Sequence, residues 1–346
     1  MSAKKVLVLG ATGAMGKYLI PLLAEKGYDI TAIYRNDALT GCGITCDAPN
    51  VRYIEADAMN LATYREIIST HYDGIVDFLI YNTICLPVYL PQILAAADHY
   101  IYFSSYRVYD GKDVPVTEES RRLIDTADNC WLKVSDDYCI YKARGENALR
   151  ESGLKNWTIV RPSITYSLMR NQLVTLEVAH TTVRALAGKK TVLPIQARDV
   201  QGTMTWAGDN ARMLAELLFN PVAYGETYSL TTSEHHTWGE IAEMYKQICG
   251  LECVWVDKED YLDIICPKSA VNRPNVNWQL ECDRLFNRVM DNSKVLAATG
   301  LKQEELMPLR RGLEMEINRF PRDNNPFDGK DDVSIRMDEY LRKHSL

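Results

Sequence analysis

The chain has 346 residues, room for one large domain with a smaller companion or for two domains. Apolar residues make up 47% and charged residues 25%, the balance of an ordinary globular protein. The net charge of -7, with no block of Lys and Arg, argues against a surface that tracks a nucleic-acid backbone. A local anion site remains open to an acidic chain, because one Arg and a helix N-terminus suffice to hold a phosphate. The chain lacks a basic-then-apolar opening and any apolar run of about 18 residues, so neither a signal peptide nor a membrane span is expected. Nine cysteines, an odd number, fit the reduced thiols of a cytoplasmic protein. Cys42 and Cys46, and likewise Cys249 and Cys253, have a spacing that zinc sites use. No partner pair with ligand spacing follows, so no metal is expected.

In chain order, Lys5–Leu9 reads as a buried strand and Met15–Glu25 as a helix ended by Gly27. Strands follow at Ile30–Tyr34 and Val51–Glu55, then a helix over Leu61–Ser69. Gly74–Ile80 and Tyr100–Ser104 are the fourth and fifth strands, and Trp157–Arg161 the sixth, stopped by Pro162. Strands alternating with helices in this rhythm predict an α/β fold, a doubly wound parallel sheet of the Rossmann type. Asn171–Ala187 reads as a helix outside that rhythm, and Gly225–Leu230 as a returning strand. Thr237-Trp-Gly-Glu240 is a capping-box pattern that opens a helix running through Gln247. The rest mixes short elements with loops, including the polar stretch Arg322–Asp332. The expected organisation is a dinucleotide-binding domain over 1–165, rejoined by 200–232, with 166–199 and 233–346 forming a smaller mixed substrate lobe.

Gly10-Ala-Thr-Gly13-Ala-Met-Gly16 sits between the first strand and the first helix. Gly10 permits the tight turn, Gly13 lets backbone approach a pyrophosphate, and Gly16 allows close packing of the helix. The helix N-terminus adds N–H donors and a favourable dipole. Gly10, Thr12, Gly13, Ala14, Met15 and Gly16 are therefore the expected contacts of an NAD(P) cofactor. The second strand ends Ile33-Tyr34-Arg35, with no acid to chelate the adenosine ribose. Arg35 can pair with a 2′-phosphate, which favours NADP over NAD. Asp57, with Ala58 beside it, is placed to accept from the adenine amino group or to cap the next helix.

Tyr138 and Lys142 are four apart in an expected helix and so share one face. An ammonium beside a phenol favours the phenolate and makes it a useful acid–base group. The fifth strand delivers Ser104-Ser105 to the sheet edge where open α/β folds place ligands. Ser105 can hydrogen-bond a substrate oxygen there.

The glycine turn, Ser104-Ser105-x-x-Val108-Tyr109, Tyr138-x-x-x-Lys142 and Val160-Arg161-Pro162 occur in one order. Together they resemble the extended short-chain dehydrogenase/reductases, the NAD-dependent epimerase/dehydratase family. The resemblance covers about the first 165 residues well. It continues weakly through Met204–Asp209, Gly225–Leu230 and Asp291-Asn-Ser-Lys294. It implies that Tyr138 is the acid/base, Lys142 its activator and a cofactor-ribose ligand, and Ser105 the substrate-oxygen donor. It also implies hydride exchange between the nicotinamide and a secondary alcohol or ketone carbon. A sugar nucleotide is the implied substrate, Tyr106 an implied substrate neighbour, and a homodimer the implied assembly.

Departures narrow the chemistry. Tyr106 and Arg107 stand where the family's dehydratases carry acidic residues, so elimination lacks its usual acid and base. No cysteine occupies the place used by the GDP-fucose synthase group, and Ile164 sits near the place of a substrate-binding Asn. Epimerisation and simple carbonyl reduction remain. The chain also resembles epimerase-like relatives of chloroplast RNA-binding proteins. A non-catalytic protein that senses NAD(P)H or binds RNA is the alternative, against which the retained triad and the acidic charge both argue.

Four other features invite a role. Arg198 resembles the family's phosphate-binding Arg in position, though its spacing to Asp209 is long. Asp209 itself reads as a helix cap. His180, on the expected 171–187 helix, can face the substrate or simply pack. His235-His236 reads as a solvated loop.

Overall fold

The structure is a computed structural model that describes residues 3–35, 46–323, 327 and 329–346. Cys42 therefore lies outside the described residues.

The first half builds β1 (Lys5–Leu9), α1 (Gly16–Glu25), β2 (Asp29–Tyr34), β3 (Val51–Glu55), α2 (Leu61–Ile67), β4 (Tyr72–Asp77), α3 (Leu86–Ala95) and β5 (Ala97–Phe103). Then come α4 (Leu123–Thr126), α5 (Cys130–Val134), α6 (Tyr138–Glu151), β6 (Trp157–Val160) and β7 (Ile164–Tyr166). The second half contains α7 (Thr182–Leu186), β8 (Thr191–Pro194), β9 (Gln201–Gly202), β10 (Met204–Trp206), α8 (Ala207–Leu217) and β11 (Glu226–Tyr228). It closes with β12 (His236–Thr237), α9 (Trp238–Cys249), β13 (Cys253–Val256), α10 (Lys258–Ile265), α11 (Arg273–Gln279), α12 (Ser293–Thr299), α13 (Leu309–Asn318) and α14 (Asp332–Lys343).

Seven strands form one sheet in the order β11-β6-β5-β4-β1-β2-β3, every neighbouring pair parallel. This is the Rossmann-type α/β fold. Parallel strands buried on both faces need continuous apolar runs, and Val6-Leu7-Val8-Leu9 is fully buried. The strand period of two then splits that run between two cores. Val6 and Val8 pack with Leu19, Ile20 and Leu214 from α1 and α8. Leu7 and Leu9 pack with Leu90, Ile93 and Leu149 from α3 and α6. The strand order reverses at β1, and there the register pairs Leu9 with Ile33 on β2 and with Asp77 on β4. The segments that follow β1, β2 and β4 therefore leave the sheet along one edge, the crevice where such folds bind ligands.

A separate core gathers Tyr166, Val192, Trp238, Tyr245, Tyr261, Leu313 and Leu341. Its strands pair only two by two, β10 with β7, β12 with β9 and β13 with β8. None of the helices in the described residues is long and apolar enough to cross a membrane.

The helix expected over Asn171–Ala187 is not continuous. A tight turn bridges Leu173 and Leu176, a single 3₁₀ turn follows at Val178–His180, and only Thr182–Leu186 is α-helical. Tertiary contacts override the local pattern here. The buried Asn171 Oδ1 accepts from the hydroxyls of Thr181 and Thr182, and Val174 is held at a φ of 56°. The fourth strand stops at Asp77, short of the expected Ile80, because the Asp77 carboxylate accepts from the Leu79 N–H and turns the chain. Asp209 is not the cap of α8; Trp206 holds that position. The Asp209 carboxylate instead accepts from the Met307 N–H at 2.7 Å and from Arg212 at 3.3 Å, tying α8 to the C-terminal segment.

Candidate active site

A cleft of about 700 Å³ runs along the sheet edge. Its first wall is the glycine turn. Gly10 holds a φ of 79°, the left-handed region that favours glycine, and the Gly13 N–H closes the turn onto the Gly10 carbonyl at 3.1 Å. The N–H groups of Thr12, Ala14 and Met15 find no acceptor among the described residues, and Met15 caps α1 without a side-chain bond. Unspent backbone donors at the start of a ten-residue helix suit a pyrophosphate. Gly10, Thr12, Gly13, Ala14 and Met15 all line the cleft. Gly16 does not. A Cβ there would lie 2.4 Å from the Ala11 carbonyl oxygen, so its part is to let the helix close on its own turn.

Tyr34, Arg35, Asp57 and Ala58 continue this wall. Asn60, rather than Asp57, caps α2, accepting from the N–H groups of Ala62 and Thr63. The Asp57 carboxylate accepts from the Met59 N–H at 3.0 Å and stands at the cleft. Phe78, Leu79 and Ile80, which follow β4, complete the floor.

Ser105, Tyr138 and Lys142 reach the middle of the cleft from two elements. Ser105 follows β5, where its Oγ accepts from the Arg107 N–H at 3.2 Å and caps a 3₁₀ turn over Tyr106–Val108. Tyr138 is the first residue of α6, placed by Asp137, whose side chain caps that helix through the Cys139 N–H. Lys142 lies one turn on. The residue is 2% exposed, and its ammonium donates to the Phe103 carbonyl at 2.6 Å and stands 5.7 Å from the Tyr138 ring centroid. Burial lowers the Lys142 pKa, against the opposing pull of Tyr138 and Asp77. Asp77 is a buried carboxyl behind the lysine and accepts from the hydroxyls of Tyr81 and Tyr100. Burial pushes its pKa up to about 6. Farther along α6, Glu146 is fully buried and paired with Arg161, Arg122 and Arg150. It also accepts from Ser104 at 2.6 Å, which locks the serine strand to the tyrosine helix.

The opposite wall comes from distant segments. Tyr106 and Arg107 line it, joined by Arg170, Gln172, Glu177, Gln279 and Arg284. Behind them Asp283 is fully buried. It accepts from the Tyr106 hydroxyl at 3.1 Å and from Arg288 at 3.2 Å, and also pairs with Arg284 and Arg107. Residues 280–284 form a π-helical turn, an unusual geometry that often marks functional positions. Arg284 spends its donors on the Val174 carbonyl, the Tyr106 hydroxyl and Gln172. Of these residues, only Tyr106 is an expected contact. The rest lie up to 178 positions from their partners, beyond the reach of any local spacing.

Arg198 is placed elsewhere. It is exposed, ends a 3₁₀ turn and packs against Gly239, so the expected phosphate contact is not on the cleft. His180 pairs with Asp331 at the cap of α14, and His236 with Glu234. Among the described residues no cluster of His, Cys, Asp and Glu could hold a metal ion. Burial raises the pKa of both Cys249 and Cys253, the latter to about 12, which keeps both as thiols at neutral pH.

A parallel sheet with a bare-donor glycine turn at its switch point defines a dinucleotide-binding Rossmann protein. Residues 10–186, just over half of the chain, match the model of a family described as NAD(P)H-binding. The chain belongs to that family. No curated protein matches it in sequence. Among solved structures it is similar to an epimerase from Methanothermobacter thermautotrophicus, with a TM-score of 0.70, 14% identity and 92% of each chain covered. It is also similar to the UDP-glucuronic acid 4-epimerase of Bacillus cereus, solved with UDP-glucuronic acid and NAD. That match has a TM-score of 0.66 and 17% identity and covers 91% of this chain and 98% of that one. The WbmH enzyme of Bordetella bronchiseptica, solved with NAD+, gives a TM-score of 0.66 and 17% identity over 93% of this chain and all of that one.

Proposed function

We propose that this chain is an NAD(P)-dependent epimerase or reductase acting on a secondary alcohol or ketone carbon, most simply that of a sugar nucleotide. The observation that carries the reading is the convergence of Ser105, Tyr138 and Lys142 on one cleft with the bare donors of the glycine turn. Solved structures of like fold hold NAD with UDP-glucuronic acid, which supports the same substrate class. A nicotinamide dinucleotide bound in the cleft would supply the carbon that accepts or returns hydride.

The chain's own residues do the rest. The glycine turn binds the pyrophosphate, and Asp57 with Ala58 flanks the adenine. Arg35 stands at the ribose end and favours NADP. Tyr138 moves the proton of the reacting hydroxyl, Ser105 donates to the same oxygen, and Lys142 stands beside the phenol as its activator and as a ligand of the cofactor ribose. In this assignment residues 1–165 and 200–232 serve the cofactor, and the remainder serves the substrate. The protein works in the cytoplasm as a homodimer.

The test is to incubate purified wild type and Tyr138→Phe with NAD(H) or NADP(H) and a panel of UDP-sugars. The products are followed by chromatography and nicotinamide absorbance. Wild type should turn over at least one sugar, and the variant should lose about 10²–10⁴-fold in rate while binding dinucleotide within a few-fold. A cofactor that stays bound through many turnovers selects epimerase, and stoichiometric consumption of reduced cofactor selects reductase. Turnover retained in Tyr138→Phe, or no dinucleotide binding at all, overturns the assignment.

A further inference from the structure

Arg107 has a surplus of donors at the reacting end of the cleft. It follows Ser105 by two positions, and its guanidinium lies 5.3 Å from the centroid of the Tyr138 ring. Its Nε is buried without a hydrogen-bond partner, and the one hydrogen bond its guanidinium makes among the described residues, to Asp137, is long at 3.4 Å. That Nε faces Asp283 at 3.6 Å, too far for a hydrogen bond, and the two Nη atoms carry the remaining donors. A buried guanidinium with unspent donors costs stability unless something else uses them.

The charges are layered. Arg107 and Arg284 are on the wall, whereas Asp137 and Asp283 are not, so the cationic groups face the cleft and their counter-ions stand behind. Arg107, Arg284 and Arg288 meet only Asp283 and Asp137, leaving one positive charge in excess. Arg170 and Glu177, which also line the cleft, offset each other in charge. Arg284 is committed to Val174, Tyr106 and Gln172. Within this cluster of three arginines the least committed is Arg107. The segment that holds Arg284 on this wall is strained. Val174, a β-branched residue, is held at a φ of 56° with its carbonyl gripped by Arg284, which is backbone strain of the kind that collects at binding sites.

We infer that Arg107 receives an anionic group, a carboxylate, carried by the substrate next to the carbon that reacts at Tyr138. The substrate is then an acid, such as a sugar nucleotide whose hexose bears a carboxylate in place of a hydroxymethyl group. This rests on the proposed role of Tyr138. A fork of N–H donors fits a carboxylate and gives charge-assisted bonds that an uncharged hydroxymethyl group cannot match. The same donors could instead meet the nucleotide's own diphosphate, and the two cases separate experimentally.

The experiment measures binding of UDP, UDP-glucose and UDP-glucuronic acid to the dinucleotide-loaded protein by calorimetry, for wild type, Arg107→Met and Arg107→Lys. Dinucleotide affinity serves as the check on folding. Wild type should prefer UDP-glucuronic acid to UDP-glucose by about tenfold or more. Arg107→Met should erase that preference and leave UDP and UDP-glucose within about twofold, while Arg107→Lys keeps part of it. Equal wild-type affinity for the two sugars overturns the inference. So does a loss in Arg107→Met shared equally by UDP and both sugars, which would place the diphosphate on Arg107. If UDP does not bind at all, the sugar-nucleotide reading falls separately. The inference then stands or falls on whether free hydroxy acids, and not matched polyols, exchange hydride with the bound dinucleotide in an Arg107-dependent way. If Arg107→Met does not fold, the wild-type comparison and Arg107→Lys decide.

Discussion

On the glycine-turn side of the cleft, the polar groups are mainly backbone N–H groups at the end of β1, with a few side chains from strand ends. Facing them, the polar groups are side chains from 3₁₀ and π-helical turns and a bridged loop, held together by ion pairs between residues far apart in the chain. The first wall is fixed by sheet geometry and tolerates side-chain change away from its glycines. The second is fixed by buried charge, so it is both more specific and more fragile. A protein built this way can keep its first wall while the second diverges.

The sharpest way to break the comparison is Asp283→Asn. It leaves Arg107, Arg284 and Arg288 without their shared counter-ion, and losing one partner of a buried ionic cluster costs about 3–5 kcal/mol. Urea unfolding should show that loss, while the folded protein binds dinucleotide as before. A small change in unfolding midpoint would mean that the second wall does not depend on its buried charge.

Acid titration of stability sharpens the other side. Burial alone would raise the Glu146 carboxyl, but Arg161 and Ser104 overcome it and hold the group down at about 2. The unfolded chain protonates it near 4.5. Its contribution of about 3 kcal/mol is therefore present above pH 4.5 and lost as pH falls toward 2. Glu146→Gln should remove this slope from urea midpoints measured across that range. An unchanged slope would mean that the Ser104–Glu146–Arg161 lock does not stabilise the fold.

Asp77 runs the opposite way. Folded, it keeps its proton to about 6, and unfolded it loses it near 3.8. Stability is greatest below 3.8 on this account and falls by about 3 kcal/mol as pH rises through 6. Asp77→Asn should flatten the profile between pH 4 and 6. A profile identical to wild type would show that Asp77 is not held protonated.

The smallest effect belongs to Arg35→Ala. Removing the guanidinium should weaken NADPH binding about tenfold and leave NADH within about twofold, read by fluorescence titration. Equal losses for both cofactors would remove the preference for NADP.

Local pattern carried the α/β class a long way. The buried runs at Lys5–Leu9 and Trp157–Val160, the placement of Gly10-x-x-Gly13 and the four-residue spacing of Tyr138 and Lys142 are all short-range signals. They are legible because strand burial, turn sterics and helix periodicity act over a few residues. Local pattern failed at 171–187, where the periodicity suggested a helix. There Asn171, Val174 and Arg284 impose turns through contacts that span 110 positions.

By itself, then, the sequence determined that there is a parallel sheet, where its glycine turn lies and which phenol and ammonium share a helix face, because each depends on neighbours in the chain. Only the tertiary structure decided that Arg198 is excluded from the cleft, that Asp57 faces it rather than capping α2, and that Arg107 stands over Tyr138 with donors to spare. Those outcomes turn on which distant charges are buried together, and buried charge is settled by the packing of the whole molecule.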